Sequence, residues 1–213
     1  MLIAECSVII RYLRHGFWPF FRALVRFCSA PLSRIVAYIP KDGYTVDIGC
    51  GQGHFLAYCR QKGYQGLVGI EPSTRATRRA RSILPPGVAI IAGNAATLPL
   101  RSCRALVIID VLYLMSPEDQ VSFVSYAASI IESGGVLLVK TMDPTRRVRQ
   151  KLNVIQEFIA VKLLGITLGS TFHFRTPGEW IDIMEKHGLE AYSIPLWKWF
   201  IHPHVLIVGR RIR

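Results

Sequence analysis

From residue 44 onward the chain alternates two kinds of apolar pattern. Short, largely apolar runs at 44–48, 67–70, 88–92, 105–111 and 135–140 predict buried strands. Between them, apolar residues recur every three or four positions, which predicts helices from 53 to about 62, 74 to about 84 and 117 to about 132. Ser116 is the expected N-cap of the last of these, with Pro117 in its first position. Strands that are apolar on both faces and separated by helices predict a parallel sheet covered on both sides.

Both ends of the chain depart from this rhythm. Residues 1 to about 38 read as one or two helices, with Ile9, Leu13, Phe17, Phe20, Phe21, Leu24, Val25 and Cys28 at helical spacing. Arg11, Arg14, Arg22, Arg26 and Arg34 are interleaved with them, and Pro19 and Pro31 break or start helices. Lys41, Asp42 and Gly43 close this segment with a turn, so the expected division is an N-terminal basic helical segment at 1–40 and one α/β domain at 41–213. A helical insert is expected at about 144–175; it begins basic (Arg146, Arg147, Arg149, Lys151) and becomes apolar. A further helix opens at Thr176 and stops at Gly188, and the runs at 190–196 and 204–209 read as a terminal antiparallel pair.

Composition narrows the class. The five cysteines form no CxxC pair and no zinc spacing, which predicts reduced thiols in a cytosolic protein and no metal site. The net charge of +12 points to an anionic partner: nucleic acid, an acidic membrane surface, an acidic carrier protein or a phosphorylated substrate. The mean hydropathy of +0.31 is high for so basic a chain, and the charge lies among Phe, Trp, Leu and Ile, which favours a membrane surface or an amphiphilic substrate over RNA. Neither a signal peptide nor an uninterrupted apolar span of ~18–20 residues is recognisable, so the expected location is the cytoplasm, either free or on the cytoplasmic face of a membrane.

The sharpest motif is Val46-Asp47-Ile48-Gly49-Cys50-Gly51-Gln52-Gly53, at the first strand-to-helix turn. Glycines there let the backbone turn tightly and approach a ligand, and the helix that follows offers free N–H groups. The spacing is GxGxG rather than the GxGxxG of dinucleotide folds. Asp47 stands two residues before the first glycine, and Glu71 ends the second strand, placed to accept from ribose hydroxyls.

These residues resemble the class I methyltransferases that use S-adenosylmethionine (SAM), over roughly residues 44–140 and more loosely in the tail. The resemblance implies a Rossmann-like α/β three-layer sandwich whose seven-stranded sheet is mostly parallel, with an antiparallel last strand at 202–211. It also implies a cofactor set of Asp47, Gly49, Cys50, Gly51, Gly53, Glu71, Pro72, Asn94, Ala95 and Asp110, with S-adenosylhomocysteine (SAH) as product. In that family the glycine turn wraps the methionine moiety and the acid at Glu71 holds the ribose. Asn94 stands where the family often has an acid near the adenine, and Asp110 borders cofactor and substrate.

The donor's methyl group is already activated, so no universal catalytic motif is expected. The Asp110-Val111-Leu112-Tyr113 run lacks the Asn-Pro-Pro-Tyr of amino methyltransferases. Tyr113, His202 and His204 are the expected acceptor-side residues, the histidines as candidate general bases; Lys140, His173 and Arg175 are further candidates. The leading expectation is a small apolar or amphiphilic acceptor, lipid-like or carrier-bound. The alternatives are an RNA methyltransferase, using the arginines of 75–81 and 146–151 on phosphates, and a SAM-binding scaffold without turnover. The N-terminal segment reads either as a membrane-surface helix or as a lid over the cofactor.

Overall fold

Alternation along the central strands decides which helices each residue meets. In a computed structural model, which describes residues 3–95, 97, 100–145, 172–196 and 203–212, the strands are β1 (Thr45–Ile48), β2 (Leu67–Glu71), β3 (Val88–Ala92), β4 (Cys103–Ile109), β5 (Ile131–Met142), β6 (Leu189–Pro195) and β7 (His204–Arg211). They form one seven-stranded sheet in the order β3-β2-β1-β4-β5-β7-β6. Neighbours from β3 to β5 run parallel, and β7 runs antiparallel to both β5 and β6.

Helices cover both faces. On one side lie α1 (Ile3–Leu13), α2 (Phe17–Ser29), α3 (Leu32–Val36), α4 (His54–Gln61) and α5 (Thr74–Ile83), packed on Ala105, Val107, Val136, Leu138, Leu206 and Val208. On the other lie α6 (Pro117–Ile130) and α7 (Pro177–Lys186), packed on Leu106, Ile108, Leu137, Val139, Val205 and Ile207. Consecutive residues of β4, β5 and β7 thus fall into opposite cores, as a period of two requires. Lys140 follows Leu138 by two and His204 precedes Leu206 by two, so both belong to the face that α2 covers. That parity is what brings them to the site.

The expected helix starts are present. Ser116 Oγ accepts from the Asp119 N–H with Pro117 at the start of α6, and Thr176 and Glu179 form a capping box at the start of α7. The fifth strand is longer than the pattern suggested, because it follows α6 directly at Ile131. Pro19 does not break α2: it stands in the first turn, where the missing N–H has no intrahelical acceptor to lose. Most of the expected insert at 144–175, along with Trp197, Trp199, Phe200 and His202, lies outside the described residues. No described helix is long and apolar enough to cross a membrane.

The N-terminal helices are part of the folded body. Val8, Ile9, Tyr12, Ala23 and Phe27 are buried in the same core as α4 and the sheet. The Tyr12 hydroxyl donates to the Gln52 carbonyl at 2.8 Å, and its ring lies 4.5 Å from that of His54. α1 is therefore fastened to the glycine turn itself. Tyr12→Phe keeps the ring and removes the bond. The expected cost is about 1 kcal/mol, with faster amide exchange in α1 and little change in the sheet, measurable by hydrogen exchange with mass spectrometry.

Candidate functional site

The sheet order reverses between β1 and β4, and the carboxyl ends of such strands open a crevice. The glycine turn lies there. Gly49, Gly51 and Gly53 all have left-handed backbones, with φ of 69°, 56° and 77°. The Gly49 and Cys50 N–H groups donate to the Ile70 carbonyl at 2.8 and 3.1 Å, which fixes the turn to β2. Gly49 and Gly53 are also required by packing, since an added Cβ would lie 2.5 Å from Val111 and 2.6 Å from Leu84. At Gly51 a Cβ would meet nothing within 4 Å. Packing within the protein leaves that position open, as a ligand cradle requires.

Glu71 ties the turn to its neighbour. One carboxylate oxygen accepts from the Gly51 N–H and the other from the Ser73 N–H, each at 2.9 Å. Two oxygens with one bond each keep further acceptor capacity. Pro72 is exposed between them. After β3, the Gly93 N–H donates to the Glu71 carbonyl at 3.1 Å, which brings the exposed Asn94 and the buried Ala95 to the same carboxyl edge of the sheet. The Cys50 side chain is buried against the sheet, because a Cβ on Gly69 would lie 2.6 Å from its sulfur; only its backbone is left to face a ligand. Burial pushes its thiol well up, helped by the charges of Asp47 and Glu71.

Two buried carboxyls are driven in opposite directions. Burial pushes Asp47 up to about 8, with Arg26 opposing and Glu71 adding. Burial would also raise Asp110, but the charges of Lys140, Arg26 and His204, and the hydrogen bond from Lys140, outweigh it and hold this carboxyl well below the usual range. Lys140 Nζ lies 2.7 Å from both Asp110 oxygens, and Arg26 Nη1 donates to Oδ2 at 2.8 Å. His204 Nε2 is 3.4 Å from Lys140 Nζ. Asp110 itself has φ of 60°, a left-handed backbone on a non-glycine residue, held by its N–H on the Lys140 carbonyl. The crevice thus ends in an ion cluster drawn from β4, β5, β7 and α2.

Tyr113 lies beyond this cluster in a short 3-10 turn (Leu112–Leu114) and is buried. Its ring packs against Phe174 and Phe172, with centroids 4.9 and 5.8 Å away. Gln120 holds that wall together. Its Nε2 donates to the carbonyls of Leu112, Met115 and His173, and its Oε1 accepts from Arg175 Nε at 2.7 Å. The sequence expectation named His173 and Arg175 as acceptor-side groups, yet Arg175 is engaged in this scaffold, also donating to the Pro117 carbonyl. Gln120 and Arg26 were not expected at the site. Gln120 was hidden inside a helix, and Arg26 was read only as part of a basic face.

The cluster and turn also hold the N-terminal helices. His54 begins α4, and burial, reinforced by Arg26 and Arg22, lowers it to about 3, so it is neutral at pH 7. Gln52 Oε1 and His54 Nε2 are buried without a hydrogen-bond partner among the described residues. Such atoms are costly unless something satisfies them, and they lie at the last step of the glycine turn and the start of α4. Among the described residues no group of three His, Cys, Asp or Glu is arranged to hold a metal ion.

A family model described as a methyltransferase domain matches residues 20–194. A protein of Alkaliphilus oremlandii, described as an uncharacterized methyltransferase, is 28% identical over 127 residues, which is 58% of this chain and 58% of that protein. The chain thus spans little more than half the length of that curated relative. Among solved structures, a SAM-dependent methyltransferase of Thermotoga maritima, described as a possible histamine N-methyltransferase, is similar with a TM-score of 0.64 and 23% identity, covering 84% of this chain and 86% of that one. The magnesium protoporphyrin IX methyltransferase of Synechocystis, solved with bound SAH, is similar with a TM-score of 0.65 and 18% identity, covering 85% and 82%. A SAM-dependent methyltransferase of Archaeoglobus fulgidus gives 0.68 and 16%, covering 92% and 96%.

Two sets of variants test the geometry. Gly51→Ala costs only the left-handed backbone, about 1–2 kcal/mol, whereas Gly49→Ala adds the clash with Val111 and should lower the melting temperature further. Lys140→Met leaves Asp110 buried with one cation fewer, an expected loss of about 3–5 kcal/mol. Adding Asp110→Asn should restore part of it in denaturant titrations.

Proposed function

We propose, for a chain that belongs to the SAM-dependent methyltransferases, that methyl transfer runs to a small apolar or amphiphilic acceptor at the crevice between β1 and β4. S-adenosylmethionine is the methyl donor, and bound there it supplies a methyl group activated by a positively charged sulfur. The observation that carries the site assignment is Gly51: its left-handed backbone faces open space, beside the Glu71 carboxylate.

The residues fit such a ligand. In this reading Gly49, Cys50, Gly51 and Gly53 give the methionine end their backbone, and Glu71 with Pro72 borders the ribose. Asn94 and Ala95 border the adenine. Asp47 faces the ligand's ammonium group, and Asp110 presents its carboxylate edge between donor and acceptor while Lys140 and Arg26 hold it still. Tyr113, with Phe172 and Phe174, forms an apolar wall on the acceptor side, which supports the choice of a greasy acceptor. His204 stands at the end of the ion cluster, and a general base is needed only where the acceptor must lose a proton. His202 belongs to the same proposal and lies outside the described residues. Residues 1–40 serve as a lid on the catalytic domain of 41–213, supported by the bonds from Tyr12 to Gln52 and from Arg26 to Asp110. Closing that side excludes water, which sharpens alignment and electrostatics.

Calorimetry with SAH tests the site. Gly51→Val should abolish binding by filling the open cradle, and Glu71→Ala should weaken it by about 1.5–3 kcal/mol. Unchanged affinity in both variants removes the assignment. Asp47 gives an independent signature in pH. Its carboxyl, raised to about 8, keeps a proton that the unfolded chain loses near its ordinary value of about 4. In the ligand-free protein this group therefore subtracts stability as pH rises from about 4 to about 8. A ligand ammonium beside it favours the charged form, so SAH binding at pH 7 should release up to about one proton. Calorimetry in buffers of different ionisation enthalpy reads that release, and Asp47→Asn should remove both it and the pH slope.

A further inference from the structure

The two faces of α2 are opposed. Ala23 and Phe27 are buried, while Phe17, Trp18, Phe21 and Val25 are 64%, 62%, 44% and 46% exposed. The three rings touch one another, with centroids 5.7, 6.0 and 6.3 Å apart. Ile10 and Leu13, 53% and 50% exposed, continue the surface onto the end of α1. Six large apolar residues within one helical corner are a patch, not scatter. The other exposed large apolar residues described, Tyr44, Ile91, Tyr192 and Ile212, are far apart along the chain.

The rim of this patch is cationic. Arg11 and Arg14 are exposed within it. Arg22 lies on the flank of α2 that also carries Arg26, one turn further on. Partial burial lowers its guanidinium, and so do the nearby charges of Arg79 and Arg75, which places three cations together. α1, α2 and α5 carry a single acid, Glu5, in their sequences.

We propose that this corner is a docking surface for an anionic lipid bilayer, with the rings at headgroup depth and the arginines on lipid phosphates. The inference rests on the reading of an amphiphilic acceptor, which a surface-bound enzyme meets where it partitions. Charge selects the occupant. A second copy would set the same arginines against each other across a two-fold axis, in a chain of net charge +12. RNA would use the arginines and the rings, but Ile10, Leu13 and Val25 offer a base no stacking face. A bilayer uses all of them. Because Arg26 reaches Asp110 from the same helix, docking also sets the crevice close to the membrane plane.

The test is flotation of the full chain with vesicles of phosphatidylcholine alone or mixed with phosphatidylglycerol, alongside SAH calorimetry on the same preparations. The wild type should float with the anionic vesicles only, and less as salt rises. Phe17→Ser/Trp18→Ser/Phe21→Ser and, separately, Arg11→Glu/Arg14→Glu should each lower partitioning at least about tenfold while SAH affinity stays unchanged. A wild type that binds SAH but does not float, or floats equally after both sets of changes, overturns the docking surface and leaves the cofactor site standing. A concentration-dependent dimer in sedimentation velocity, lost in the aromatic variant, also overturns it in favour of self-association. Flotation without SAH binding supports the surface and overturns the cofactor assignment instead.

Discussion

A buried carboxylate held by two cations fastens the elements of this site together. Asp110 comes from the end of β4, Lys140 from β5 and Arg26 from α2, all within 2.8 Å of one another's charged atoms through Asp110. The Lys140 side chain is 1% exposed. A charge so placed is tolerable only while it is paired. The sheet's alternation turns Lys140 and His204 to the face of α2, so the cluster gains its second cation, Arg26, only with the N-terminal helices docked. The strands at the crevice and α2 are therefore linked by one electrostatic requirement.

The same crevice keeps a second carboxyl in the opposite state. Asp47 is buried one strand away without two cations against it, and burial pushes it up, whereas Asp110 is held down. One environment offers a fixed negative charge and the other a site that gains charge when a cation arrives. A cofactor with both a positive sulfur and an ammonium group suits that pairing. Between them, Glu71 is committed to the Gly51 and Ser73 N–H groups and so fixes the turn before any ligand binds. Preorganisation of this kind lowers the cost of ordering at the moment of binding.

The fold was legible because its signals are local. Largely apolar runs marked five strands, Ser116 and Thr176 marked helix starts, and the glycine turn marked the crevice. The terminal antiparallel pair was legible from the missing helix between two runs. What the pattern did not reveal depends on pairing across the chain. Lys140 was named as an acceptor-side candidate without a partner, and only its register opposite Ile109 places it under Asp110. Arg26 sits at helical spacing among other arginines, and nothing local separates the one that reaches Asp110 from those left at the surface. Gln120 follows Glu118 and Asp119 in the first turn of α6 and reads as one more polar position there, yet its four bonds join segments more than fifty residues apart. Side chains whose partners are distant leave no periodic trace.

The N-terminal segment had two competing readings, lid and membrane helix, and α2 has room for both because its faces are independent. A helix about ten ångströms across can bury Ala23 and Phe27 while presenting Phe17, Trp18 and Phe21 on the other side. Its flank carries Arg22 toward the arginines of α5 and Arg26 toward Asp110. Packing accounts for the buried face and the ion cluster for Arg26, but neither requires three aromatic rings in water. Leaving them there forgoes roughly 1.5–3 kcal/mol for each side chain that could be buried. Such a cost is spread over one corner of the molecule, next to the excess of positive charge. Apolar area and cationic rim belong to the same helix that sends Arg26 to Asp110, so whatever occupies that corner also bears on the ion cluster at the crevice.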